Sequence, residues 1–189
     1  MEQPEPIAEG LTFDDFLEFE EKAETKHEYI GDLIYDMAGA SRNHNLICMN
    51  LSGHLFNHLR GMPCNAFMAD MLLRLRIGED DIAYYPDLMV GCDANDNHKR
   101  YLTQPSLIIE VLSESTKRTD LREKFLAYQS IDSVQEYITV KQDEMDITVF
   151  RRDNNWQAEH FRAEQTLIIP SLTFEIAVSE VYEGVGFAD

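Results

Sequence analysis

Positive charge is what this chain lacks most. Its 189 residues hold 16 Lys and Arg against 35 Asp and Glu, a formal net charge of −19 at pH 7, which argues against broad nonspecific attraction to polyanions. A local basic groove is still compatible with that total. Cysteine is scarce: Cys48, Cys64 and Cys92 are odd in number and widely spaced, so they match neither a disulfide framework nor paired CxxC zinc ligands. They read as reduced, buried fillers. No apolar run approaches the roughly 18 residues that a membrane span needs. The opening Met1–Gly10 segment is acidic and contains Pro4 and Pro6, without the basic and apolar blocks of a secretion signal. The expectation is a cytoplasmic protein with no membrane partner. Repeats, a Gly-rich phosphate loop and a nucleophile elbow are also missing. What remains is an ordinary globular composition, 44% hydrophobic and 27% charged, in a length that favours a single domain over residues 1–189.

The charge is unevenly spread. Residues 1–36 carry 2 basic and 12 acidic side chains, whereas residues 37–78 carry 4 and 1 together with three of the six histidines. An anionic ligand is therefore expected to meet the middle of the chain. Thr12, with Asp15 three residues on and Leu11 and Phe16 as a hydrophobic staple, predicts a helix start, and the helix ends before His27. Gly31-Asp32 between β-prone runs predicts a hairpin over Lys26 to Met37. Leu46, Ile47, Leu51, Leu55 and Leu59 recur at helical spacing, giving a helix from about Asn43 to Arg60, stopped by Gly61 and Pro63. Phe67 to Ile77 and Ile82 to Val90 read as two strands, the second interrupted by Pro86. Gly91 to Gln104 reads as a polar loop. Ser106 to Leu112 is almost wholly apolar, as in a strand covered on both faces. A helix through Leu121, Phe125 and Tyr128 follows, then strands at Glu136–Val140, Asp146–Arg152 and Trp156–Phe161, and a short helix at Val178–Tyr182. The order predicts a mixed α/β fold.

Three positions stand out chemically. Glu110 interrupts the apolar run Leu107 to Leu112, and strand alternation gives it Ile108 and Leu112 as same-face neighbours. An unsatisfied polar group buried there costs about 2–7 kcal/mol, and a charge more, so Glu110 is paired, bound to a metal, or on an edge strand facing water. Asp87 opens the apolar strand after Pro86. Alone it reads as a Pro-Asp turn, but beside Glu110 it offers the second hard oxygen donor that Mg²⁺ requires. Lys124 lies one turn after Asp120. Alone the two form a surface pair worth about 0.3–0.5 kcal/mol. Beside two metal-binding carboxylates, the amine would orient water or offset phosphoryl charge.

Together with these positions, Lys26-His27-Glu28-Tyr29-Ile30, Met37 to Ser41, Tyr85-Pro86-Asp87, the run Pro105 to Thr116, Asp120 with Lys124 and Tyr128, and Gln135-Glu136-Tyr137 resemble the Uma family. That family of proposed restriction endonucleases, long labelled a domain of unknown function, falls within the PD-(D/E)XK nuclease superfamily. The resemblance runs from Thr12 to Gly184. It implies a restriction-endonuclease-like core, a mixed β-sheet flanked by helices, with an N-terminal helix plus hairpin and C-terminal strands. It implies Asp87 and Glu110 as metal-binding acids, with the Val111 carbonyl as a further ligand. The motif's lysine is expected two residues after Glu110, where Leu112 stands, and Lys124 matches its displaced position on the next helix. Glu28 and His44 are second-tier candidates, because the first core helix of the superfamily often contributes a carboxylate. Two departures follow: Gly31-Asp32-Leu33 replaces the usual Asp-Gly-Glu turn, and Glu114 replaces a Pro.

The function this implies is a Mg²⁺- or Mn²⁺-dependent endonuclease hydrolysing phosphodiester bonds of nucleic acid, DNA first. Arg42, Arg74, Arg76, Lys117 and Arg122 are the candidates for backbone phosphate contacts, and relatives suggest a homodimer. The alternative is a catalytically inactive nuclease-fold module that binds nucleic acid or protein. A third reading is an oligomeric structural protein.

Overall fold

The computed structural model describes residues 5–37, 39–112 and 120–187. The chain opens with helix α1 (Phe13–Lys22), whose start is set by a reciprocal cap. Thr12 accepts from the Asp15 backbone N–H at 3.2 Å, and the Asp15 carboxylate accepts from the Thr12 N–H at 3.0 Å. Strands β1 (His27–Ile30) and β2 (Leu33–Asp36) form the hairpin that the sequence predicts. Its two-residue turn needs Gly31, which sits at φ +70° in the left-handed region. Helix α2 (Arg42–His58) follows, capped by Ser41. It buries Ile47, Leu51 and Leu55 completely, each worth about 1.5–3 kcal/mol on removal from water.

The next stretch departs from the sequence reading. Phe67–Ile77 is not one strand but two: β3 (Asn65–Met68) and β4 (Leu72–Ile77), which lie in different sheets. The break is at Ala69, whose φ of +52° cannot continue a strand. Ile82–Val90 is divided in the same way into β5 (Asp80–Tyr84) and β6 (Leu88–Gly91) around Tyr85-Pro86-Asp87. The loop after β6 contains a short strand, β7 (Tyr101–Leu102). Strand β8 (Pro105–Leu112) is buried almost throughout. A wide π turn over Asp120–Lys124 leads into helix α3 (Phe125–Gln129). Strands β9 (Glu136–Lys141), β10 (Asp146–Arg151) and β11 (Ala158–Arg162) come next, then the hairpin β12 (Thr166–Ile169) and β13 (Phe174–Ala177), and helix α4 (Val178–Val181).

Two mixed sheets carry the architecture. One runs β2-β1-β5-β4-β7 and the other β11-β10-β9-β8-β6-β3, the latter mixed because β8 and β9 are parallel. Alternation in the six-stranded sheet separates its faces. Leu88, Val90, Leu107, Ile109 and Val111 pack against α2 and the β12–β13 hairpin. Met89, Ile108 and Tyr137 pack against Leu73, Leu75, Ile82 and Tyr84 of the other sheet, and against Ala127 and Tyr128 of α3. This is the mixed α/β class that the chain's pattern predicts. Among the described residues no helix is long and apolar enough to cross a membrane.

One expectation is overturned. Cys64 and Cys92 are not reduced fillers but form a disulfide, and Cys48 alone is free and buried. The reason is register: Asn65 pairs with Gly91 across β3 and β6, so the ladder extended by one step sets Cys64 opposite Cys92. Spacing of 28 residues hides that adjacency. The pairing also removes the cysteine-based argument for a reducing compartment.

Candidate active site

The site lies where β6 begins and β8 ends. These strands are antiparallel, with Leu88 paired to Ile109, so one further step sets Asp87 opposite Glu110. Opposed residues of an antiparallel pair share a face, with Cβ atoms about 4.5–5.5 Å apart. Pro86 explains why β5 and β6 separate here, since it has no N–H to continue a ladder. Asp87 is fixed from three sides. Its backbone carbonyl accepts from the Ala69 N–H at 3.0 Å. Its Oδ2 accepts from the Val111 N–H at 2.7 Å, and its Oδ1 stands 3.0 Å from His44 Nε2 in the first turn of α2. Each carboxylate oxygen has a second lone pair for a further partner.

Glu110 is 3% exposed. Its Oε1 accepts from the Tyr128 hydroxyl at 2.8 Å and from Lys124 Nζ at 3.3 Å. Lys124, itself 5% exposed, also lies 3.0 Å from Glu28 Oε1 and sits 5.3 Å above the Tyr84 ring. Register explains the arrival of Glu28. Tyr29 pairs with Ala83, so Glu28 falls opposite Tyr84 on the inner face of the five-stranded sheet. The two sheets thus hold a glutamate each, with the ammonium between them. Burial, and then the charge of Glu110, push the Tyr128 phenol well above its usual range and keep it a donor. Burial likewise raises the Cys48 thiol, with Asp87 and Glu110 adding to the effect, so both acids act on the same small volume.

Among the described residues, Asp87, Glu28 and Glu110 set three carboxylates beside the ammonium of Lys124, a formal −2 without the imidazole. A partly buried group of acids of that kind suits a divalent cation, and carboxylate oxygens with a backbone carbonyl are the donors that Mg²⁺ and Mn²⁺ favour. The residues present therefore fit the implied metal.

Asp87 meets Val111 and His44, and Lys124 meets Glu110 and Glu28, the two groups joined by the adjacency of Glu110 and Val111 on β8. The arginines divide. Arg42 and Arg122 are exposed, each two residues from His44 and Lys124 respectively. Arg74 instead donates to Asp81 at 2.9 Å and lies 4.0 Å over the Phe13 ring. With Arg76 it lines a separate pocket of about 540 Å³ bounded by Thr103, Ser130 and Ser133. Lys117 lies outside the described residues. Sequence reasoning missed Cys48, which the i, i+4 spacing from His44 on an amphipathic helix already placed beside it.

Comparison with known proteins identifies the family and the fold. Residues 13–179 match the model of the Uma2 family, described as "Putative restriction endonuclease". The chain belongs to the Uma2 family. Two uncharacterised Synechocystis proteins are similar to this Uma2 chain, one 33% identical over 180 residues covering 94% of each chain, the other 40% identical over 135 residues covering 70% of this chain and 75% of its own. A crystal structure of a "putative nuclease belonging to DUF820" from Anabaena variabilis shares the Uma2 chain's fold, with a TM-score of 0.73 at 19% identity, covering 92% of this chain and 98% of that one.

Proposed function

We propose that the protein is a metal-dependent endonuclease that hydrolyses phosphodiester bonds of nucleic acid, DNA in the first instance. The observation that supports this most is Asp87 at the mouth of the β6–β8 ladder, its Oδ2 on the Val111 N–H next to Glu110, which a buried Lys124 meets from the next helix. Asp87 and Glu110, with the Val111 carbonyl, hold the ion, Mg²⁺ or Mn²⁺. When bound, that ion supplies Lewis-acid activation of water and of a phosphoryl oxygen.

The chain's own residues do the rest. The Val111 N–H and His44 fix both oxygens of Asp87, and Tyr128 fixes Glu110, so the acids are oriented before substrate arrives. Lys124 keeps an ammonium where negative charge grows as the water oxygen adds to phosphorus and the ester P–O bond breaks. The departing oxygen leaves with a proton. Glu28 holds the lysine in place. Arg42 and Arg122 are available to backbone phosphates, which would make binding strongly salt-dependent. The whole chain acts as one catalytic domain, its endonuclease unit spanning residues 12–184, in a cytoplasmic homodimer. Sedimentation tests the dimer, and non-reducing electrophoresis of protein from intact cells tests the compartment through the Cys64–Cys92 bond.

The test of activity is incubation with plasmid and single-stranded DNA in Mg²⁺ or Mn²⁺, beside Asp87→Ala. Metal-dependent cleavage by the wild type alone supports the reading, and cleavage that survives the substitution defeats the site. A second reading, a nuclease-fold module that binds nucleic acid or protein without catalysis, is favoured by the double clamp of Lys124 between Glu28 and Glu110. It predicts DNA retention without cleavage in either metal.

A further inference from the structure

The cleft contains one donor that a hard metal ion does not use. Cys48 follows His44 by one helical turn on α2, and its Sγ lies 3.8 Å from His44 Nδ1. On the other side of the ring, His44 Nε2 is 3.0 Å from Asp87 Oδ1. One ligand atom from each of His44, Cys48 and Asp87 falls within 4.8 Å of the other two. Zinc binds nitrogen and oxygen at about 2.0–2.2 Å and sulfur at about 2.3 Å, so two ligands of a tetrahedral centre stand roughly 3.4–3.6 Å apart. The imidazole offers the ion one nitrogen, so side-chain rotation brings the sulfur and the carboxylate oxygen to one side of the ring, a closure of up to about 1.4 Å from the 4.8 Å limit. Imidazole, thiolate and carboxylate form a borderline-soft donor set that suits Zn²⁺ far better than Mg²⁺. Three protein ligands also leave the fourth tetrahedral position open.

We propose that His44, Cys48 and Asp87 form a binding site for a thiophilic divalent transition-metal ion, zinc by its donor set, within this cleft. Asp87 belongs to both metal arrangements, so the soft ion and the hard ion compete for it. Zn²⁺ then acts as an inhibitor of Mg²⁺-supported cleavage. That consequence rests on the nuclease reading, whereas the binding itself does not.

The probe is Co²⁺, titrated into metal-free, full-length protein without reductant and followed by absorption spectroscopy. With Cys64 and Cys92 joined, Cys48 is the free thiol, so a thiolate-to-cobalt charge-transfer band reports on it directly. One equivalent of Co²⁺ should produce that band with the visible bands of four-coordinate cobalt, and Zn²⁺ should bleach both. Cys48→Ser should remove the near-ultraviolet band and weaken Zn²⁺ binding at least about tenfold. His44→Ala should weaken binding similarly, while Glu110→Gln should leave the band in place. Thermal melts establish that each variant is folded. Should Cys48→Ser not fold, the wild-type spectrum decides, since no band without a coordinated thiolate can arise. Absence of the band at saturating Co²⁺, or its survival in folded Cys48→Ser, overturns the site. A band without Mg²⁺-dependent cleavage sinks the nuclease reading and upholds this one; cleavage without a band does the reverse.

Discussion

Glu110 and Glu136 stand on neighbouring parallel strands, each 3% exposed, yet the protein treats them differently. Glu136 points toward the β12–β13 hairpin, where its oxygens accept from the Ser171 N–H at 3.2 Å and from the Ser171 hydroxyl. Neutral donors answer it, and Arg151 lies within electrostatic range. Glu110 faces the opposite side of the sheet and shares the Lys124 ammonium with Glu28, while Asp87 lies one residue before β6. Burial of a carboxylate is therefore not what marks a site in this fold. Among the described residues, the convergence of Glu28 and Glu110 on Lys124, with Asp87 one step beyond the Leu88–Ile109 pair, is the distinguishing feature.

The largest expected effect separates the two acids by activity. Asp87→Ala or Glu110→Ala should lower Mg²⁺-dependent cleavage by more than about 10²-fold, as happens when a group stabilising transition-state charge is removed. Glu136→Gln should leave the rate within about threefold while lowering the melting temperature. Plasmid nicking rates and thermal melts measured on the same preparations check both halves. Equal losses of rate at positions 110 and 136 would break the distinction.

The ion pairs give the next effect. Lys124→Met takes the ammonium away from buried Glu110 and partly buried Glu28, and loss of one partner from a buried pair costs about 3–5 kcal/mol. Urea unfolding should show that loss in metal-free protein, and millimolar Mg²⁺ should restore part of it, because a bound cation stabilises by mass action. Glu110→Gln should do the opposite, removing surplus charge and leaving metal-free stability unchanged or raised. Failure of Mg²⁺ to rescue Lys124→Met would argue that the surplus charge is not a cation site. Tyr128→Phe is milder: it removes one hydrogen bond to Glu110, worth about 1.5–3 kcal/mol to a charged acceptor, and should lower the urea midpoint without abolishing cleavage.

Much of this was legible from the chain alone. Thr12 and Asp15 announce the first helix, Gly31-Asp32 the hairpin, and Glu110 declares itself by interrupting an apolar run, since local spacing determines each. What was hidden depends on pairing between distant residues. Asn65 meeting Gly91 makes the Cys64–Cys92 disulfide, and Tyr29 meeting Ala83 carries Glu28 to Lys124. Neither register can be read from composition or periodicity. The splitting of Phe67–Ile77 and Ile82–Val90 between two sheets was hidden for a related reason: alternation shows that a residue is in a strand but not which sheet the strand joins. Arg74 and Arg76 looked alike in sequence, but the first is committed to Asp81 and Phe13.

The smallest effect is a slope. Burial raises the Glu136 carboxyl above its ordinary 4.5, and the Ser171 hydrogen bonds offset this only in part. The folded chain then keeps a proton that the unfolded chain has lost, so stability declines as pH climbs through 4.5 toward the folded value and levels off above it. Asp146 behaves oppositely. Burial raises it, but Lys141 at 2.7 Å and His160 at 3.2 Å outweigh that and leave it below 3.8. Its contribution is present above 3.8 and is lost as pH falls through the folded value. Urea midpoints taken across the acid range should therefore lose their decline above 4.5 in Glu136→Gln but keep the low-pH loss, whereas Asp146→Asn should show the reverse. Two variants with the same pH profile would mean that hydrogen-bond donors and cations satisfy buried carboxylates interchangeably here, and the contrast with Glu110 would then rest on net charge alone.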